Sequence, residues 1–350
     1  MEFRPDTLET DLSGLIDADG VDEVESHSVE SHSVEGTGTN VHALRDIPRT
    51  PVDVAERADL ALEDDRLAEV TPARTSVPRY LSPSSSSMYD QCARKWKFRY
   101  VDRLPDPPGE AALAGTFAHR VLELLLQLPA EQRTENEAKR LARAVWPETA
   151  RDLDFIALRM DEQTERAFRW RGWKAVQGLW AIEDPSAVTV HATEHDVKVE
   201  VSGVPFRGIV DRIDVTDDAL VISDYKSGRA PRPRYAPDKL KQVLLYAAAV
   251  REMMGQAPSK ARLLYLGQTI IDVDVTPDNL AEVEGNLAQT WDSLQSACAT
   301  ETFDASTGPL CAWCPFVKQC PEGIAEVSKR HAAGMVRPDA PGLVVLPVSA

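Results

Sequence analysis

Cysteine is scarce in this chain, with five in 350 residues. That excludes a disulfide scaffold and leaves a hydrophobic core as the source of stability; the 43% apolar content is enough to build one. Long apolar runs are absent: no stretch approaches the ~20 residues of a membrane span, and the first residues lack a charged region followed by an apolar one. The chain is therefore expected to be soluble and cytoplasmic, with no membrane partner. There is no G-x4-G-K-[ST] loop and no Gly-Lys pair at all, which excludes a P-loop nucleotide site. A surplus of basic charge is also missing, since the formal net charge is −17. That figure looks wrong for a protein that handles nucleic acid until it is located. Residues 1–70 carry 19 acidic and 5 basic side chains, leaving 37 acidic and 34 basic in the remainder. The acidity belongs to one end and says little about the body's partners.

Residues 1–78 are expected to form a disordered acidic tail. They are poor in aromatics and repeat V-E-S-H-S at 24–28 and 29–33. His27, His32 and His42 fall there, and a solvated linker is the better reading than a metal tract. Order is expected from about residue 79 to 326, followed by a flexible tail over 327–350. Ser82-Pro83-Ser84 is a helix start, and the spacing predicts one helix running on to about Val101. Its end, R-K-W-K-F-R-Y at 94–100, alternates basic and aromatic residues. Such a stripe suits single-stranded nucleic acid, and equally suits an amphipathic helix with its aromatics in the core. Pro105–Gly109 reads as a loop, with Gly115-Thr116 opening the next helix. Residues 131–182 read as a Trp-rich helical insertion. From Val188 the apolar period switches to two, which predicts strand.

Two alternating runs, Ile209–Val215 and Leu220–Tyr225, flank a Thr216-Asp217-Asp218 turn and predict a β-hairpin. Asp224 and Lys226, two apart, share a face. If Asp211 faces the same side, two carboxylates and an ammonium converge. Paired carboxylates suit Mg2+ or Mn2+, and a divalent ion beside a lysine suits cleavage of a phosphodiester. An exposed salt bridge is the plainer account of Asp-x-Lys alone. After Gly228 comes a Pro-broken basic loop with Arg229, Arg232 and Arg234. Asp238–Met254 then predicts a helix with Gln242 and Tyr246 on one face. Two strands over 261–275 and a helix over Pro277–Ala299 follow. The order predicts an α/β core with helices covering a mixed sheet.

The cysteines form a second pattern. Cys311-Ala-Trp-Cys314 and Cys320 make C-x2-C-x5-C, one ligand short of a four-thiolate site. Cys92 is the natural fourth, with Cys298 as competitor. Structural zinc and an iron–sulfur cluster both use four thiolates. On its own helix His119 reads as a satisfied core histidine; Glu194, on the strand before the hairpin, reads better as an exposed strand residue than as a contributor to the site.

Together these segments resemble the RecB-like branch of the PD-(D/E)XK nucleases, which includes the AddAB and RecBCD nuclease domains and four-cysteine CRISPR-associated exonucleases. The resemblance covers roughly 80–325. It rests on L-S-P-S-S with C-A-R-K-W (81–96), G-T-F-A-H (115–119), G-I-V-D-R-I-D (208–214), D-Y-K-S-G (224–228), Gln242 with Tyr246, and the terminal cysteines. It implies a restriction-endonuclease-like core, with a terminus clamped by a [4Fe–4S] cluster on Cys92, Cys311, Cys314 and Cys320. It also implies His119, Asp211 and Asp224 as ligands of Mg2+ or Mn2+, with Asp211, Asp224, Lys226, Gln242 and Tyr246 as catalytic residues. Three positions depart from the pattern: Val210 stands where the family's name has Pro, Asp224 replaces Glu, and Ala93 follows Cys92 where Pro is frequent. None removes a catalytic group.

The expected activity is metal-dependent exonuclease cleavage of single-stranded DNA or DNA ends in repair or recombination. Rival readings are a DNA-end-binding subunit without activity, and the nuclease partner of a helicase or CRISPR-integration complex. Any ATP-driven motor or other repair protein would then be a separate chain.

Overall fold

Ser202 and Gly203 both adopt left-handed φ, +49° and +79°, as a tight two-residue hairpin between twisted strands requires. The turn joins β1 (Val190–Val201) to β2 (Val204–Thr216) as an antiparallel pair. A second turn at Asp217, φ +49°, leads into β3 (Ala219–Lys226). The computed structural model describes residues 75–347, residue 218 excepted. The acidic segment and its histidines lie outside the described residues as far as residue 74.

The sheet runs β1-β2-β3-β4-β5, with β4 at Lys260–Tyr265 and β5 at Thr269–Asp274. Only β3 and β4 pair in parallel, and a helix makes that crossover. It spans Ala236–Met254, here α7, and stops at Gly255 in the left-handed conformation, φ +69°. Its run Ala247, Ala248, Ala249 and Val250 is fully buried, and these small side chains let it lie close on the sheet. A further helix, α8 (Pro277–Thr300), packs against α7; Thr276 and Asn279 cap it reciprocally. The mixed sheet and its helices are the α/β architecture the sequence predicted.

The chain enters at Leu81, whose backbone pairs with β2 beyond the reach of β3. The helix expected over 83–101 is two helices. Cys92 is extended (φ −169°, ψ 110°) and breaks α1 (Pro83–Gln91) from α2 (Ala93–Tyr100). The stripe at 94–100 is resolved in favour of the core. Trp96 is 1% exposed, donates to Ser85 Oγ at 2.9 Å and stacks on Phe303. Phe98 is buried against Phe316. The cations are held by neighbours: Arg94 by the Phe303 carbonyl, Lys97 by Asp102 and Arg99 by Asp106.

Helix α3 begins at Glu110, earlier than expected, and runs to Leu126 with Gly115 inside it. Over 131–182 lie α4 (Glu135–Arg151), α5 (Leu153–Ala157) and α6 (Glu162–Gln177). Phe155 and Phe168 pack there with Leu113 of α3. Part of the tail expected to be flexible from 327 is helical. Helix α9 (Pro321–Ala332) buries Val327 completely, and a 3-10 turn at Pro341–Val345 packs on Ala312. Among the described residues no helix is long and apolar enough to cross a membrane.

Candidate active site

Two glycines let helices approach the hairpin. A Cβ on Gly208 would lie 2.6 Å from Cε1 of Tyr246, so the bare backbone of β2 receives that ring from α7. A Cβ on Gly115 would lie 2.8 Å from Ser227 Oγ, so α3 can sit against the end of β3. One turn further along α3 is His119, delivered to the mouth of the hairpin.

Arg212 pairs with Ser223 across β2 and β3, which sets Asp211 and Asp224 opposite each other. They are held differently. Asp211 Oδ2 accepts the backbone N–H of Tyr225 at 2.8 Å and lies 3.5 Å from His119 Nδ1. Asp224 is 3% exposed and closes a ring with two side chains. Lys226 Nζ lies 2.6 Å from its Oδ2, Gln242 Nε2 donates to its Oδ1 at 3.2 Å, and Lys226 donates to Gln242 Oε1 at 3.1 Å. Burial pushes the Asp224 carboxyl up to about 6; the charge of Asp211 adds to the rise, while Lys226 and His119 oppose it. Tyr246 is buried beside this ring and near Gln242, and burial raises its phenol well above the ordinary range.

The sequence reading favoured an exposed strand position for Glu194 over a place in the site. Ligand atoms of His119, Glu194 and Asp211 all lie within 4.8 Å of one another, a group that Asp224 does not join. Two observations explain the arrangement. Glu194 sits inside β1 at φ +44°, a left-handed position that a side chain with a Cβ adopts at a cost. The ladder pairs Thr193 with Arg212 and His195 with Val210, but Glu194 and Asp211 between them are not a regular pair. Face alternation slips here too, since Phe206, Val210 and Ile213 all join one core cluster although strict alternation would send Ile213 to the other face. Irregularities of this kind re-aim side chains, and here two carboxylates turn toward His119. One imidazole nitrogen and two carboxylates form a donor set suited to a divalent ion of the Mg2+ or Mn2+ kind.

Behind the hairpin lies a buried ionic network. Arg212 is fully buried and reaches Glu183 Oε2 at 3.0 Å, Asp214 at 2.8 Å and the Tyr225 hydroxyl at 2.9 Å. Arg262 adds a second contact to Asp214 at 2.8 Å. Tyr225 is thus fixed at its ring while its backbone N–H holds Asp211.

Cys92, Cys311, Cys314 and Cys320 line one open cavity, none of whose lining residues belongs to the His-Glu-Asp group or the Asp224 ring. Cys92 caps α2 and Cys320 caps α9, where its sulfur accepts the Gly323 N–H at 3.3 Å. The Gly308 N–H points at Cys311 Sγ, 3.4 Å away. Burial raises the thiols of Cys314 and Cys320. Cys298 is not among these residues; it is buried in the main core.

A mixed sheet with an aspartate pair and a lysine on its hairpin, met by His119 from a helix and Glu194 from the edge strand, is an arrangement consistent with a metal-dependent nuclease. The model of the PD-(D/E)XK nuclease superfamily matches residues 80–321, and the chain belongs to that superfamily. It is 25% identical over 268 residues to the Gene 69 protein of Mycobacterium phage D29, covering 69% of this chain and 96% of that protein. A crystal structure of an inferred exonuclease from Eubacterium rectale aligns with a TM-score of 0.43 and 15% identity, over 65% of this chain and 85% of that one.

Proposed function

We propose that the chain is a divalent-metal-dependent deoxyribonuclease of the RecB-like branch, an exonuclease acting on single-stranded DNA or DNA ends in repair or recombination. The observation that carries this reading is the juxtaposition of His119, Glu194 and Asp211 with the Asp224–Lys226–Gln242 ring. His119, Glu194 and Asp211 would hold Mg2+ or Mn2+, with Asp224 facing Asp211. When bound, the ion would neutralise a phosphate oxygen and make water a better nucleophile. Lys226 presents its ammonium beside Asp224, where it can stabilise charge gathering on the phosphate. Gln242 grips both partners of that pair and fixes their orientation. Tyr246, seated on Gly208, braces the same helix face. The approach for DNA is the exposed loop with Arg229, Arg232 and Arg234.

Cys92, Cys311, Cys314 and Cys320 are proposed to hold a structural [4Fe–4S] cluster, with zinc as the alternative. Backbone N–H groups aimed at two of the sulfurs support thiolate ligation at this corner.

The test uses end-labelled single-stranded, duplex and flap DNA, with and without Mn2+. Metal-dependent shortening that is lost in Asp224→Ala and Lys226→Ala is expected, with folding and metal content at the cysteines unchanged. Cleavage that survives either substitution sinks the assignment. Anaerobically purified protein should be brown; a stable, colourless protein with one zinc would overturn the cluster.

A further inference from the structure

The loop between β3 and α7 is tied to the site at both ends. It leaves Lys226 and returns through α7, whose Gln242 bonds to Asp224 and Lys226. Gln268 clamps its base, donating to the Gly228 carbonyl at 2.8 Å and accepting the Ala230 N–H at 3.0 Å. Pro231 and Pro233 restrict its backbone further. On this stiff loop Arg229, Arg232 and Arg234 are exposed, and none forms an ion pair among the described residues. The basic, Trp-bearing helix α6 is different, because glutamates hold its Arg166, Arg169 and Arg171. At the end of the loop Tyr235 is 47% exposed, with the Arg234 guanidinium 4.6 Å from its ring centroid.

Three guanidiniums with no ion-pair partner among the described residues match a run of phosphates, and an exposed ring matches a flat apolar partner. Both occur together in a nucleic-acid strand whose bases are unstacked; a duplex hides its base faces. We propose that Tyr235 is a stacking platform for an unpaired base, and that Arg229, Arg232 and Arg234 grip the phosphates beside it, so that the loop selects a single-stranded segment for the neighbouring site. The inference rests on the nuclease reading and assigns its substrate preference to residues outside the metal group. The exposed position of Tyr235 means its replacement leaves the core untouched.

The experiment is binding of the full chain to labelled oligothymidylate, an abasic strand of equal length and a blunt duplex, followed by anisotropy in EDTA. Mn2+-dependent cleavage by the wild type is measured in parallel. Tyr235→Ala is expected to weaken oligothymidylate binding about tenfold and leave the abasic strand and duplex unchanged, while Tyr235→Trp restores affinity. Arg232→Ala should weaken every strand and reduce the single-strand salt slope by about 0.7. Unchanged oligothymidylate binding by Tyr235→Ala, or an equal loss on the abasic strand, overturns the platform while wild-type cleavage leaves the nuclease reading standing. A wild type that neither binds nor cleaves DNA overturns both.

Discussion

Glu194 stands across the β1–β2 ladder from Asp211 on a left-handed backbone, φ +44°. Such a conformation costs a non-glycine residue on the order of 1–2 kcal/mol. Glycine at this position should relieve that strain and remove a carboxylate at the same time. Glu194→Gly is therefore expected to leave the metal-free protein as stable as wild type or more so, while weakening Mn2+ binding roughly tenfold or more. Glu194→Gln should lose the metal without the gain in stability. Calorimetric Mn2+ titration and thermal melts in EDTA check both. Wild-type Mn2+ affinity in either variant would remove Glu194 from the site.

Asp224 makes stability depend on pH in an unusual direction. Its carboxyl is raised to about 6 in the fold, against an ordinary value near 4 in the unfolded chain. Between those values the folded protein keeps a proton that the unfolded chain has released. Stability of the metal-free protein therefore falls as pH rises from about 4 to about 6, and this contribution is flat above that. Asp224→Asn should raise the melting temperature in EDTA at pH 7.5 by a few degrees and have little effect at pH 4, at roughly 2–4 °C per kcal/mol. Equal shifts at both pH values would contradict this account.

Gly208→Ala forces a methyl toward Tyr246, whose ring edge would be 2.6 Å away. The expected loss is about 1–3 kcal/mol. Because Tyr246 is the obstacle, Gly208→Ala should cost far less in a Tyr246→Ala background. A double-mutant cycle by urea denaturation should then give a coupling above about 0.5 kcal/mol.

Arg212→Met leaves Glu183 and Asp214 buried beside an apolar side chain. Breaking a buried network by removing one partner costs about 3–5 kcal/mol. Arg212→Lys should recover part of that loss and less of the activity, since an ammonium cannot reach Glu183, Asp214 and the Tyr225 hydroxyl in one plane. Denaturation midpoints and cleavage rates measured together test the distinction.

Much of the site was legible because its residues lie at local spacings. Asp224 and Lys226 are two apart on a strand, Gln242 and Tyr246 four apart on a helix, and the cysteines close together near the C-terminal end. Placing Asp211 toward Asp224 needed the face of β2, which period-two reasoning leaves conditional. Glu194 was illegible for the same reason carried further. Its direction depends on a slip in both strands at once, and no residue preference marks it, since glutamate is an unusual occupant of left-handed backbone. The 94–100 stripe misled in part because alternating Lys/Arg and aromatic residues satisfy a buried helix face and a nucleic-acid surface alike. Packing of Trp96 on Phe303 and of Phe98 on Phe316, residues more than 200 positions further on, separates the two. The break at Cys92 left no proline or glycine to announce it.

Cys92 lines a cavity with three cysteines that follow it by 219 residues or more. A ribosome adding ~5–20 residues per second needs roughly 10 to 45 s to cover that interval. Throughout it the early helices have left the ribosome without the segment that completes their corner, and Trp96 waits for Phe303 for nearly as long. The hairpin, α7 and β4 are all made before that corner can close. The corner is thus among the last parts of the nuclease domain that can assemble during synthesis.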